Sequence, residues 1–354
     1  MLAEFFDLLP SALHWAVICR PVGAGQLQMM NSFVKNLVST IIPVHNRADL
    51  LREAVASVMA QTYRPIEIII VDDGSTDQTI QVCDELAARH PQEIRVIHQA
   101  NAGPGLAREA GRRVARGEFI QYLDSDDVLL PEKFSLQVAG LNARPECGVA
   151  YGKTRYIGTY TSESNTAWKR TGEKIESMFP SFLQSRWWGT STPLYRKCLL
   201  DLVGPWTSLS NEEDWEYDCR IAATDVSLYY VAEYISEERD HNGDRLSRGG
   251  TINPRKIKDR AAAHKLILQH AQRAGLDESV PEMRHFAREL FLLSRQCGAA
   301  GLNTESRELF ALAEIASGKN RSRGWDFRLY KLFAGILGWS VLGRLVCYSD
   351  GFRK

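Results

Sequence analysis

Short apolar runs at Leu37–Val44, Ile66–Val71, Ile94–Ile97 and Phe119–Leu123 alternate with stretches in which apolar residues recur at helical spacing. The first such stretch carries Leu50, Leu51, Ala54, Val55 and Val58, with Asp49 placed to cap it. The second opens at Asp77 and carries Ile80, Val82, Cys83, Leu86 and Ala87; the third carries Leu106, Ala107, Ala110, Gly111 and Val114. Runs of this length rich in Val and Ile read as strands. Strands alternating with helices predict βαβ crossovers and a mostly parallel sheet. The near-continuous apolar character of the runs predicts cover on both faces. Pro43 has no N–H for a ladder, so the first strand should end close to it. After Pro254 the pattern becomes helical only, with segments expected at Ile257–Ala274, Pro281–Ala300 and Thr304–Ser317.

The second and fourth strands both run into carboxylates, Asp72-Asp73 and Asp124-Ser125-Asp126-Asp127. In an open α/β sheet, ligands bind beyond the carboxyl ends of the strands. Carboxylates gathered there are costly unless cations or hydroxyl-rich groups meet them. A divalent cation and a sugar nucleotide would supply both, because Mg²⁺ and Mn²⁺ take hard oxygen ligands. Asp124 and Asp126 lie two apart, so an extended backbone would put them on one face.

The ordered strings resemble family 2 glycosyltransferases of the GT-A fold, of the bacterial surface-glycan type. They are Ser39-Thr40-Ile41-Ile42-Pro43-Val44-His45-Asn46-Arg47, Ser57–Tyr63, Ile68–Asp77, Asn101–Arg108, Ala115–Ile120 with the Asp124 cluster, and Gly204-Pro205-Trp206 ahead of Asn211-Glu212-Glu213-Asp214. The resemblance covers roughly residues 36 to 248. The family usually has Arg-Asn where this chain has Arg108-Glu109. The resemblance implies an inverting, metal-dependent transfer of a sugar from a nucleotide-diphosphate donor to a hydroxyl of a glycan or lipid-linked acceptor. It implies Asp126 as a ligand of Mn²⁺ or Mg²⁺ and Asp124 as partner to ribose or metal. It implies Asp73 as reader of the base, with Pro43 and His45 in the surrounding loop, and Arg108 against base or diphosphate. Arg239-Asp240-His241 with Ser247 resembles the late segment that closes over the diphosphate, which makes His241 a further metal ligand.

Such a transfer must stabilise charge on the leaving diphosphate and deprotonate the acceptor hydroxyl. A metal serves the first need and a carboxylate base the second. The resemblance places the base at Asp214, with Glu213 beside it as the next candidate. One base without a nucleophile partner implies direct displacement with inversion. A nucleotidyltransferase on a similar core should carry a Gly-rich, basic triphosphate loop after its first strand, and Pro43-Val44-His45-Asn46 is not one. An inactive sugar-nucleotide-binding or scaffolding protein should have lost an acidic motif, and none is lost.

Composition adds limits. The 354 residues carry zero formal net charge, which gives no basic excess for nucleic acid. Seven scattered Cys without a Cys-x-x-Cys pair predict reduced thiols, no zinc site and a cytoplasmic location. Trp187-Trp188 ahead of Gly189 is a candidate acceptor platform. The expected domains are an N-terminal arm of open role over 1–35, a glycosyltransferase domain over 36–253, a helical extension over 254–320 and a basic apolar tail over 321–354. Glu4 and Asp7 sit where a secretory signal would be basic. Within the tail, Leu332–Gly343 carries no charge yet falls short of the roughly 20 residues that span a bilayer. A basic apolar helix bearing Trp suits the interface of an anionic membrane, so a peripheral position on the inner face of the cell membrane is expected.

Overall fold

The computed structural model describes residues 33–158, 166–239, 253–318 and 324–351. They divide into two compact units. The first holds the described residues up to 177, with 187–208 and 224–239; the second holds 178–186, 209–223 and 253 onward.

The first unit is built on an eight-stranded sheet in the order β3-β2-β1-β4-β7-β6-β8-β5. Its first four strands are β1 (Val34–Val44), β2 (Ile66–Asp73), β3 (Ile94–Gln99) and β4 (Gly117–Tyr122), all parallel. Between them run the crossover helices α1 (Ala48–Met59), α2 (Thr79–Arg89) and α3 (Pro104–Val114). The predicted apolar faces are the buried ones: Leu51, Ala54, Val55 and Val58 on α1, and Val82, Cys83 and Leu86 on α2. All of β2 is buried, Glu67 included. That carboxylate is tolerated because it accepts hydrogen bonds from Ser39 Oγ at 2.5 Å, Arg116 N at 2.7 Å and Arg116 Nε at 2.9 Å.

The remaining strands are β5 (Val128–Leu129), β6 (Cys147–Ile157), β7 (Leu194–Arg196) and β8 (Ser227–Arg239). β7 is antiparallel to both β4 and β6, and β5 is antiparallel to β8, so the sheet is parallel in its first half and mixed in its second. Strands of two or three residues leave no periodic trace in a sequence. The helices α4 (Lys133–Ala143) and α5 (Lys197–Val203) complete this unit. Strand order reverses at β1, which has β2 on one side and β4 on the other. A topological switch point therefore lies beyond the carboxyl ends of β1 and β4, where open α/β sheets bind ligands.

The second unit is helical: α6 (Glu213–Ala222), α7 (Pro254–Arg273), α8 (Pro281–Ala299), α9 (Asn303–Ala316), α10 (Trp325–Leu337) and α11 (Trp339–Gly351). Asn253 caps α7 through hydrogen bonds from the amides of Arg255 and Lys256, and Pro254 sits at its first turn. Phe310 is stacked on Tyr330 at 5.7 Å and edged by Trp339 at 5.3 Å, which ties α9, α10 and α11 together. Segments 178–186 and 209–223, which the sequence groups with the α/β domain, cluster with these helices. Cys83, Cys147, Cys219 and Cys297 are buried free thiols. Cys198 is disulfide-bonded, which departs from the expectation of reduced thiols throughout.

Close packing of α4 on β8 depends on a missing side chain. A Cβ at Gly140 would overlap the ring of Tyr229. Gly140→Ala should cost on the order of 1–3 kcal/mol, the usual scale of overpacking. Urea denaturation should show Tyr229→Ala recovering part of that loss in the double variant, whereas strictly additive losses would contradict the contact.

Candidate functional site

The loop after β1 is fastened to the loop after β2. His45 Nδ1 lies 2.9 Å from the carbonyl of Asp73. Asn46, in the left-handed region at φ 52°, donates its amide to Ser75 Oγ at 3.0 Å and accepts the Thr76 amide at 2.8 Å. The Arg47 amide donates to Thr79 Oγ1 at 2.9 Å. Pro43 stays within β1, paired with Val71 on β2.

Asp73 is buried, and its carboxylate is already at work. It accepts Gln99 Nε2 at 2.7 Å, the Ala102 amide at 2.8 Å and the Gly103 amide at 2.9 Å. These bonds hold the turn that leads into α3, where Gly103 has φ 90°. Gly74 at φ 71° completes the fit, since a Cβ there would lie 2.6 Å from the Asn101 amide nitrogen. Only glycine meets both demands at little cost.

At the end of β4 the carboxylates meet arginines drawn from other elements. Asp124 Oδ1 accepts Arg108 Nη2 at 2.8 Å, and the buried Arg108 guanidinium lies 4.9 Å from the centre of the Trp206 ring. Asp126 Oδ2 pairs with Arg47 Nη1 at 2.8 Å. Asp127 is buried and accepts Ser191 Oγ at 2.6 Å and the Arg239 amide at 3.3 Å. Arg239 Nε donates to the Asp126 carbonyl at 2.8 Å, and its guanidinium also pairs with Glu53. Burial pushes the Asp127 carboxyl well up, and the charges of Glu238, Asp126 and Asp124 push it further.

Glu109, at the position where the family usually has Asn, is a structural anchor. It accepts Arg112 Nε at 2.8 Å, Arg113 Nε at 2.9 Å and the Trp206 amide at 3.3 Å. The Gly204-Pro205-Trp206 string is thereby held over Arg108. Burial pushes the Glu109 carboxyl up, but Arg112 and Arg113 outweigh it and hold it below the usual value.

The acidic string of the second unit forms its own network. Glu212, at φ 60°, meets Arg260 Nε at 2.8 Å and His264 Nδ1 at 2.9 Å. Asp214 pairs with Arg186 Nη1, while Arg186 Nε donates to the buried Asp218 at 2.7 Å. Glu216 is buried between Arg220 at 2.7 Å and His270 at 2.9 Å. Glu213 is buried at the first position of α6, whereas the Asp214 side chain keeps partial access to solvent. His241 lies outside the described residues.

Residues 39–199 match the family model described as glycosyl transferase family 2. The chain carries a family 2 glycosyltransferase domain. It is 41% identical over 106 residues to the uncharacterized glycosyltransferase YibD of Escherichia coli K12, a stretch that is 30% of each chain. It is 41% identical over 97 residues to glycosyltransferase GlyG of Streptococcus pneumoniae, covering 27% of this chain and 32% of that one. The matched stretch thus spans about a third of the length of these relatives. Residues 1–349 of TarS from S. aureus, solved with UDP-GlcNAc, superpose with a TM-score of 0.63 at 19% identity. That likeness covers 89% of this chain and 92% of the other, and it shows the GT-A fold with its C-terminal helices.

Arg47, Ser191 and Glu238 have no individual signature as site residues in the sequence, whereas Arg239 opens the Arg239-Asp240-His241 string. Arg47 closes the His45-Asn46-Arg47 string, but nothing in the sequence pairs it with Asp126. Ser191 has no local signature. Trp187 and Trp188 are not an acceptor platform: both are buried, Trp187 under the Arg170 guanidinium at 3.7 Å and Trp188 against Tyr151 at 5.1 Å.

The donor set at this edge fits a hard divalent cation by its chemistry, because Asp124 and Asp126 offer carboxylate oxygens, each now paired with an arginine. Among the described residues no three His, Cys, Asp or Glu side chains converge at ligand spacing. A cation held by one or two carboxylates and substrate phosphates needs no such cluster.

Beside the base-side loop, Asp72 accepts the Ser75 amide at 3.0 Å and meets His98 Nδ1 at 2.9 Å, and His98 Nε2 reaches Asp84 at 3.1 Å. The hydrogen bond to Asp72 raises His98 above the ordinary 6.5. Burial pushes Asp72 up, but Ser75 and His98 outweigh it and hold it below 3.8. The His98 contribution to stability is therefore present below pH 6.5 and is lost as pH rises through its folded-state value. The Asp72 contribution is present above pH 3.8 and is lost as pH falls through its own lowered value. An NMR titration should place the His98 midpoint above 6.5, and Asp72→Asn should move it down. A midpoint unchanged by that substitution would contradict the pairing.

Proposed function

We propose that the protein is an inverting glycosyltransferase that moves a sugar from a nucleotide-diphosphate donor to a hydroxyl of a glycan or lipid-linked acceptor. The observation that carries this reading is the pairing of Asp126 with Arg47 and of Asp124 with Arg108 beyond the carboxyl ends of β1 and β4. Groups of both signs meet where the fold binds ligands, which suits a diphosphate accompanied by a cation. TarS was crystallised with UDP-GlcNAc and with UDP, which supports a uridine diphosphate sugar as the first donor to test.

In this reading the loop of Pro43, His45 and Asp73 takes the base. Arg108 and Arg47 turn guanidinium donors toward the diphosphate as their carboxylate partners are engaged elsewhere. Asp126, with Asp124, would hold Mn²⁺ or Mg²⁺. Bound there, the cation supplies Lewis-acid stabilisation of the leaving diphosphate. Asp214 takes the proton of the acceptor hydroxyl, with Glu213 the next candidate, and the pairing with Arg186 fixes the Asp214 carboxylate before the acceptor arrives. His241 is a proposed further ligand. A peripheral position on the inner face of the cell membrane belongs to the same reading. The two rival classes are disfavoured on the residues: no triphosphate loop follows β1, and every acidic motif is intact.

A panel of nucleotide sugars with NMR of the product tests the reaction. The anomeric configuration of the transferred sugar should invert; retention would overturn the mechanism. Asp214→Asn should leave donor affinity unchanged and lower kcat by roughly 10²-fold or more, the scale of losing a general base. A near-normal kcat in that variant would move the base elsewhere.

A further inference from the structure

The second unit displays an apolar surface that its own core does not use. Helix α10 buries Phe327, Tyr330 and Ala334. Trp325, Leu329, Leu332, Phe333, Ile336 and Leu337 are exposed. At 100° per residue these six centre on the side opposite the buried three. Trp325 is 76% exposed and Ile336 69%. On α11, Leu342 is buried while Val341, Leu345 and Tyr348 are exposed. Among the described residues, nine of the eleven exposed large hydrophobic side chains lie on these two helices. Single exposed apolar residues are ordinary, but a stripe of this kind marks a docking surface.

We infer that the exposed faces of α10 and α11 dock on an anionic lipid surface, with both helices lying in the plane of the interface. The inference deepens the peripheral membrane position proposed for this protein and rests on it. Two observations choose this occupant. The first is charge. The stripe is flanked by the exposed Arg328 and Arg344, and the segment 321–354 carries seven Lys or Arg against Asp326 and Asp350 in a chain of zero net charge. Anionic headgroups complement that local excess. A second copy joined by a two-fold axis would instead bring the same arginine-flanked surface against itself. The second is length. Each helix has 13 residues, Gly338 at φ 85° breaks them apart, and no helix of the described residues is long and apolar enough to cross a membrane. A two-faced helix too short to span lies along the interface.

The test uses the full chain with vesicles of phosphatidylcholine, with and without phosphatidylglycerol, at low salt. The protein should sediment with the anionic vesicles and be released by added salt. The double variant Leu332→Asp, Ile336→Asp should lose binding by at least about tenfold, the scale expected when buried apolar area is replaced by anionic charge. Both positions face solvent, so its melting temperature and its calorimetric affinity for UDP should match the parent. If the parent ignores anionic vesicles, or the variant binds them equally well, the inference is overturned. Light scattering that shows a dimer dissolved by the double variant also overturns it, because a second copy then covers the face. Absent UDP binding would instead remove the donor reading and leave the vesicle result standing.

Discussion

Carboxylates crowded at the carboxyl edge of the parallel strands are the constraint on which the first unit depends. Asp124, Asp126 and Asp127 leave β4 in succession, and Glu238 adds its charge from β8. Ions removed from water without partners cost several kcal/mol each. The fold answers with Arg47 from the loop after β1 on Asp126, Arg108 from α3 on Asp124, and the backbone amide of Arg239 from the end of β8 on Asp127. Each is held in turn. Thr79 fixes the Arg47 backbone, Trp206 lies against Arg108, and Glu53 pairs with Arg239. Charge balance and tertiary structure are thus the same set of contacts.

The first half of the sheet was legible because burial on two faces forces long apolar runs, and β1 to β4 have them. The acidic clusters were legible for the same reason, since a charge at the end of such a run has few structural excuses. The second half was not legible. β5 and β7 are too short for a period, β6 passes from buried to half-buried along its length, and β8 mixes buried, half-buried and exposed positions. The arginine partners were hidden because Arg47 and Asp126 are distant in sequence and meet only through the β1–β4 pairing. Trp187 and Trp188 misled because an aromatic pair looks the same in a core and on a sugar platform. The string 209–223 read as part of the α/β domain by sequence order, yet its carboxylates pair with Arg186, Arg260 and His270 of the helical unit.

Polar satisfaction works differently in the helical unit. Glu212 just ahead of α6, and Asp214, Glu216 and Asp218 on it, each hold a basic side chain, so a strongly acidic segment is neutralised. Asp214, paired with Arg186, is the most exposed of that set at 29%, with Glu212, paired with Arg260, at 21%. Further along, α10 buries Phe327, Tyr330 and Ala334 and leaves Trp325, Leu332 and Ile336 exposed.

Calorimetry of UDP binding with and without Mn²⁺, on the parent and on Asp126→Ala, tests the central claim most directly. Mn²⁺ should tighten UDP binding to the parent by at least about tenfold, equivalent to about 1.4 kcal/mol. In the variant that increment should vanish while the melting temperature is kept. An equal Mn²⁺ increment in both proteins would contradict the claim that the carboxylate edge beyond β4 is the donor site.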